Sequence, residues 1–164
     1  MRQPLLFAAL AAFAAPALAH ADAWPDWKPL LGSWAAEVPG GSGWFTLEPT
    51  LNDHVLVRKN HAEYAATKDK PAVVHDDLMM IYDEGGKTRA DYYDSEGHVI
   101  HYQVTLSPAA KNAVFVSDAQ AGAPRFRLTY DYATKDLLDF SFDIAPPGST
   151  AAWKNYITAK IHRK

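Results

Sequence analysis

Hydrophobic and polar residues alternate with a period of two along much of the chain, most regularly in its last third. Residues 126–132 and 138–144 each carry four apolar or aromatic side chains at even positions and polar ones between them. In residues 153–161 the odd positions are mainly the apolar ones. Because successive side chains of a strand point to opposite faces of the sheet, each stretch predicts a strand with one apolar and one wet face.

Clusters of glycine, proline, aspartate and serine interrupt this alternation at the spacing typical of β-hairpins. Glycine supplies positive φ and proline cannot donate to a ladder, so these clusters predict turns between about nine short strands, the first beginning at Gly32. Before Gly32, the aromatic, proline-punctuated residues 24–31 predict a short helical turn. The predicted turns are residues 39–43, 83–86, 94–97, 107–108, 122–124, 133–136 and 146–149.

Such a meander predicts an all-β fold, a single antiparallel up-and-down β-barrel of about eight to ten strands. Closing the sheet buries the apolar faces together and leaves no unpaired edge strand. A two-sheet sandwich is the alternative arrangement. About 145 residues remain after a predicted signal peptide, enough for one domain and too few for two.

One predicted strand, residues 51–64, breaks the pattern because both of its faces become polar halfway along. Charged side chains are rarely buried unless they are paired, so the face that points inward must meet partners or a wet cavity. This strand is therefore the strongest indication of a binding site. Its even face carries Arg58, Asn60 and Tyr64, and its odd face carries Lys59, His61 and Glu63.

The choice between these two faces separates two kinds of site. With the even face inward, the Arg58 guanidinium suits a carboxylate or another anionic head, and Asn60 and Tyr64 line the lumen. With the odd face inward, His61 and Glu63 form an acid–base pair. We favour the even face because it places only one charge inside. A third possibility is that the far half of the strand projects into solvent and binds nothing.

Several aromatic side chains are expected to face the lumen of the barrel. They form either its packed core or the lining for an apolar or aromatic ligand, and the tyrosine hydroxyls need partners that a ligand or ordered water supplies. Asn155 would lie among them with the same requirement. The full set of candidate lining residues outside the polar strand is Tyr102, Tyr130, Tyr132, Phe140, Trp153 and Asn155.

The N-terminus carries the features of a secretory signal peptide: Arg2, an apolar run over residues 5–15 and the small-residue tripeptide 17–19. We expect cleavage after Ala19 or after Ala21, which leaves a barrel domain over residues 20–164 in the periplasm or outside the cell. A second apolar run does not follow, so the mature chain is expected to lack a membrane span.

Charge and residue types exclude several functions. Without Arg2, 16 − 1 = 15 lysines and arginines face 19 acidic residues, a net charge of −4 with no basic cluster, so nucleic acid is not an expected partner. The chain has no cysteine, hence no disulfide and no thiolate site. His98 and His101 stand three apart, on opposite faces of a strand, so we predict no metal site and no cofactor.

The segment Leu30-Leu-Gly-Ser-Trp34, which opens the first strand after a tryptophan-containing turn, resembles the calycin-type, lipocalin-like barrels. Within that group the chain is most similar to small secreted bacterial proteins of unassigned function, and more distantly to the nitrobindin-like haem barrels. The latter resemblance would imply a G-x-W-x-G-x-G motif and a haem-ligating histidine near the last strand. Here Gly32-Ser-Trp34 continues without those glycines, and alternation puts His162 outside, so haem is not predicted.

Three functional hypotheses follow. The first is a secreted or periplasmic barrel that binds a small apolar or amphipathic molecule, with Arg58 binding the polar group of that molecule. The second is a barrel enzyme, an isomerase or hydrolase, in which His61 and Glu63 act as acid and base and Arg58 stabilises negative charge. The third is a structural or interaction module whose barrel is filled by its own side chains.

Overall fold

The computed structural model describes residues 23–38, 40–149 and 152–164, so the predicted signal peptide over residues 1–19 lies outside the described residues. Ten strands and one 3-10 turn, Pro25–Trp27, make up the regular structure of this part of the chain. The strands are β1 Gly32–Val38, β2 Gly41–Thr50, β3 Val55–Tyr64, β4 Val73–Glu84, β5 Lys87–Asp94, β6 Val99–Ser107, β7 Asn112–Ser117, β8 Arg125–Thr134, β9 Leu137–Ala145 and β10 Lys154–Arg163.

Each strand pairs antiparallel with the next, and β1 pairs with β10 to close the sheet into a barrel. The predicted up-and-down barrel is confirmed, and a sandwich is excluded because one continuous ladder runs around the sheet. The predicted helical turn is only the three-residue 3-10 turn. Among the described residues, no helix has the length and apolar character needed to cross a membrane.

The N-terminal turn plugs one end of the barrel, which we call the closed end. Trp24 and Trp27 are both buried there, with their rings edge to face and their centroids 6.1 Å apart. The Trp24 indole N–H donates to the Asp53 carbonyl at 2.7 Å, and Trp27 packs on Phe115. The two tryptophans remove apolar surface from water and fix the chain across the barrel end.

Arg163 ties the last strand to the start of the barrel. Its NH1 donates to the Leu31 carbonyl at 2.7 Å and its NH2 to the Pro29 carbonyl at 2.9 Å. The guanidinium also lies 4.1 Å from the ring centroid of Trp34, which is fully buried. A cation over an indole face is favourable, so the Arg163 side chain both joins the C-terminal strand to the N-terminal segment and packs on the buried Trp34.

The glycines of residues 39–43 were predicted to form a turn, but β2 begins at Gly41. A Cβ on Gly41 would lie 2.7 Å from the Glu63 carbonyl oxygen, and one on Gly43 would lie 2.9 Å from the His61 carbonyl oxygen. These two glycines therefore allow β2 to approach β3 more closely than any side chain would permit.

A β-bulge in β10 changes the predicted inward face of that strand. Asn155 pairs with Asp143 and Ile157 pairs with Phe142, so Tyr156 is the extra residue between them. The alternation is interrupted at this point, and Asn155 points away from the face that carries Ile157.

Candidate functional site

The two ends of the barrel are packed differently. Between Trp27, Phe45, Arg58 and Tyr130 the inward side chains fill the interior and leave a void of about 10 Å³. That volume has room for about one water molecule. At the other end, which we call the mouth, several inward side chains are only partly buried; they are Asn60, His75, Ile100, Phe126, Phe142 and Ile157. A binding site inside the barrel therefore belongs at the mouth.

A larger groove of about 500 Å³ lies at the closed end, between the N-terminal turn and the adjoining parts of β4–β6. Arg89, which lines this groove, is already held by two hydrogen bonds to the Asp118 carboxylate. The groove is open to solvent and its lining includes none of the polar side chains described next, so we do not assign it the function.

The structure places the even-numbered side chains of β3 inside the barrel, as we favoured. Leu56 and Arg58 are buried, and Asn60 follows them toward the mouth. Tyr64 stands on the same face at the end of the strand and is 40% exposed. The inward direction follows from the strand pairing, which puts Arg58 opposite Met79 and Asn60 opposite Asp77.

Asp77 on β4 forms an ion pair with Arg58. Its Oδ2 accepts from Arg58 NH2 at 3.1 Å and from Asn60 Nδ2 at 2.9 Å, and both charged side chains are less than one tenth exposed. Burial alone would lower the pKa of Arg58, but Asp77 and nearby tyrosines outweigh it and the pKa is raised. The guanidinium is therefore charged, paired and largely out of reach of a ligand.

His75 extends this cluster toward the mouth. Its Nε2 lies 3.4 Å from Asp77 Oδ2 and 3.1 Å from the Tyr92 hydroxyl, while its Nδ1 lies 2.9 Å from Glu96 Oε2. The hydrogen bond with Asp77 is the main cause that raises the pKa of His75 to about 9; burial opposes this shift and Glu96 adds to it.

Asp94 and Tyr92 complete the polar wall. The Tyr92 hydroxyl donates to Asp94 Oδ2 at 3.3 Å, and His98 Nδ1 lies 2.8 Å from the same oxygen. Burial would raise the pKa of Asp94, but hydrogen bonds from the backbone and ring of His98 outweigh it and the pKa is lowered. Burial raises the pKa of Tyr92, so its hydroxyl stays neutral.

The opposite wall of the mouth is apolar. Phe126 and Phe142 stack with centroids 5.9 Å apart, and Phe140 packs on Tyr130 at 5.1 Å. Phe126, Phe140, Phe142 and Ile157 are each only partly buried, although the sheet places them on its inward face. The mouth thus presents an apolar wall on β8–β10 opposite a polar wall on β3–β5.

Among the predicted lining residues, the structure brings Tyr102, Tyr130, Tyr132 and Phe140 into the interior. Tyr102, Tyr130 and Tyr132 are buried in the core rather than at the mouth, so they support the site without facing a ligand. The Tyr132 hydroxyl is buried and has no hydrogen-bond partner among the described residues.

Trp153 and Asn155, also predicted to line the lumen, lie on the outer wall. Arg127 stands 4.7 Å from the Trp153 ring centroid and donates to Asp143, which in turn accepts from Asn155 Nδ2 at 3.1 Å. Arg127 faces outward because it alternates with the inward Phe126 and Leu128. The bulge at Tyr156 accounts for Asn155, since it reverses the alternation from which the inward position was predicted.

His61 and Glu63 also lie on the outer wall, on the other side of the sheet from Arg58. The His61 ring stacks on Trp44, with Nδ1 2.7 Å from Asp76 Oδ1 and Nε2 3.0 Å from Glu63 Oε1. These hydrogen bonds, first that of Asp76, raise the pKa of His61. The predicted catalytic trio of Arg58, His61 and Glu63 is therefore divided by the sheet and cannot act on one substrate.

Four residues of the mouth, His75, Asp77, Asp94 and Glu96, were absent from the sequence-based candidates. The sequence contained a signal for two of them. His75 and Asp77 share a face of β4 with the apolar Met79 and Ile81, so this face is polar at one end of the strand and apolar at the other, as the even face of β3 is. Matching the polar ends of two antiparallel neighbours would have brought Asp77 to Arg58 and Asn60.

Comparison with known proteins gives no relative from which a function can be transferred. No protein-family model matches the chain, and no curated protein matches it.

Proposed function

We propose that the chain is a small-molecule-binding barrel of the lipocalin-like type, with its ligand seated at the mouth. The observation that carries the proposal is the pair of partly exposed inward phenylalanines, Phe126 and Phe142, opposite the polar wall of the mouth. Apolar side chains that point into a barrel and stay partly exposed favour an apolar ligand, and a small number of polar groups orient it.

The arrangement favours an amphipathic ligand. Its apolar part would lie on Phe126, Phe142 and Ile157, and its polar part would face Asn60 and His75 across the mouth. Because Asp77 already pairs with Arg58, the polar part meets a balanced ion pair rather than a free positive charge. An anionic head is therefore no longer the preferred partner, and a neutral hydrogen-bonding group fits better.

The decisive experiment combines native mass spectrometry with a fluorescent probe. Protein purified without denaturation is expected to carry a co-purifying small molecule, or to take up the neutral probe N-phenyl-1-naphthylamine saturably at one site per chain. A barrel that carries no ligand and shows no saturable uptake of neutral, anionic or cationic amphipathic probes would contradict the proposal. An absorption spectrum of the same sample tests for haem.

A structural module is the second candidate, and the packing of the closed end favours it. The interior around Phe45, Arg58 and Tyr130 is filled by the chain's own side chains, with space for about one water. The same probe titration separates the two candidates, because a self-filled barrel binds nothing at the mouth. The enzyme hypothesis built on His61 and Glu63 loses its support, since their side chains lie outside the lumen.

The proposed location is the periplasm or the cell exterior, on the strength of the signal peptide predicted over residues 1–19. The intact mass of protein secreted by a bacterial host tests it. A mature chain that begins at His20 or Asp22 is expected, and a mass that retains residues 1–19 would contradict export by this route.

A further inference from the structure

Within the polar wall of the mouth, three possible metal donors lie close together where β4 meets the end of β5 and the turn that follows it. One ring nitrogen of His75, one carboxylate oxygen of Asp94 and one of Glu96 lie within 4.8 Å of one another. Metal bonds of about 2.0–2.2 Å would bring such donors to roughly 3–3.5 Å from each other. Only small side-chain movements separate the observed arrangement from a ligating one, and Glu96, whose side chain is 41% exposed, is free to make them.

The backbone holds this turn against β4. The Ser95 amide donates to the Asp76 carbonyl at 2.9 Å, and the Asp76 amide donates to Ser95 Oγ at 3.2 Å. Asp94 also accepts from the amides of Glu96 and His98 through Oδ1. Asp94, the last residue of β5, and Glu96, in the turn that follows, are thus held by backbone contacts against the strand that carries His75.

His75 has the second partner that ligating histidines commonly have. Its Nδ1 faces Glu96, and its Nε2 faces Asp77 Oδ2 at 3.4 Å and the Tyr92 hydroxyl. A histidine that binds a metal through one nitrogen usually donates its other N–H to a carboxylate, which fixes the ring and strengthens the ligand. Asp77 is buried and itself held by Arg58 and Asn60, so it is suited to this role.

The charges of the cluster balance with a divalent cation. His75 binds a metal only as the neutral ring, so the proton that its raised pKa favours is released on binding. In the metal-bound state Asp94 and Glu96 contribute −2, Asp77 and Arg58 cancel as −1 + 1 = 0, and neutral His75 adds nothing, so the protein groups sum to −2. A ligand set of one imidazole and two carboxylates matches zinc and related transition ions better than magnesium or calcium, which prefer oxygen alone.

On these grounds we propose that His75, Asp94 and Glu96 form a divalent transition-metal site, with zinc as the best-fitting ion, at the rim of the barrel mouth. Three protein ligands leave at least one position for water or for a donor atom of a ligand. The site goes beyond the proposed small-molecule function and does not depend on it, because its test uses the metal alone.

The outer wall provides a matched control. His61 is also flanked by two carboxylates, but Asp76 and Glu63 contact opposite nitrogens of its ring, so no single nitrogen shares a metal position with both. Glu63→Gln therefore removes a histidine–carboxylate contact of similar length without touching the proposed site.

The test is calorimetric titration of the chelator-treated full chain with zinc sulfate, repeated with cobalt chloride and its visible absorption. We expect one zinc per chain, a visible Co²⁺ spectrum that zinc abolishes, and a zinc affinity weakened about 10- to 100-fold or more by Glu96→Gln and by His75→Ala. Glu63→Gln should bind as the unmodified chain does. Zinc should also raise the Tm of the unmodified chain but not that of Glu96→Gln.

Three results would overturn the site: no stoichiometric zinc binding, zinc binding that Glu96→Gln leaves unchanged, or stoichiometric binding of calcium in place of zinc. Circular dichroism checks that each variant is folded. Should His75→Ala fail to fold, Glu96→Gln decides alone, because Glu96 is an exposed turn residue with no part in the core.

Discussion

Arg58 NH2 and Asp77 Oδ2 lie 3.1 Å apart inside the barrel, and both side chains are less than one tenth exposed. Asp77→Asn leaves the guanidinium buried without a counter-charge, so we expect a loss of about 3–5 kcal/mol in the free energy of unfolding. Urea denaturation measures it. Asp139→Asn, which breaks the exposed pair with Lys160, is the control and should cost less than about 1 kcal/mol.

Equal losses in these two variants would show that the interior pair is not effectively desolvated. Should Asp77→Asn not fold, the double variant Arg58→Met with Asp77→Leu remains informative. It removes both charges and is expected to recover most of the stability, because well-packed apolar residues often replace a buried ion pair at little cost.

Phe142→Asp should weaken binding of N-phenyl-1-naphthylamine at least about tenfold, since a carboxylate on the apolar wall must lose water when the probe binds. Fluorescence titration measures the change. Tyr93→Asp introduces the same group on the exterior of β5, where Tyr93 is already 37% exposed, and should leave probe binding unchanged. Identical effects of the two variants would place the probe somewhere other than the mouth.

The pKa of His61 should lie above 6.5, because Asp76 and Glu63 both accept hydrogen bonds from its charged form. The protonated ring is the favoured partner of two carboxylates, so removing either one must lower the pKa. NMR titration of the His61 ring protons should show a fall toward the ordinary value in Asp76→Asn and a smaller fall in Glu63→Gln. An unchanged midpoint in Asp76→Asn would show that the contact is not kept in solution.

Tyr132→Phe should be neutral or slightly stabilising, because it removes a buried hydroxyl that has no partner among the described residues. Tyr92→Phe makes the same chemical change but removes hydrogen bonds to His75 and Asp94, so it should cost about 1–3 kcal/mol. Thermal and urea unfolding measure both. A loss in Tyr132→Phe as large as in Tyr92→Phe would reveal an ordered water bound to the Tyr132 hydroxyl.

The barrel could be predicted from the sequence because the patterns that indicate it involve only residues close together in the chain. Alternation in β8 and β9 and the glycine and proline turns depend on neighbouring residues alone. The site was predicted less completely because it depends on pairing between strands: Asp77 meets Arg58 only through the register of β3 and β4. The positions of Trp153 and Asn155 depend on one bulged residue, Tyr156, which no local pattern marks.

The ladder between β1 and β10 is the shortest seam of the barrel in the described residues, with paired positions at Trp34, Ala35 and Ala36 against seven between β1 and β2. Its partners are also the most distant in sequence, whereas every other ladder joins consecutive strands. Hairpins can form early, but this seam carries the loop-closure entropy of nearly the whole domain and should form last during folding. In the folded protein, the backbone amides of the β1–β10 ladder should exchange with solvent sooner than those of the other ladders. Arg163 joins the two strands, so its contacts should determine how fast these amides exchange.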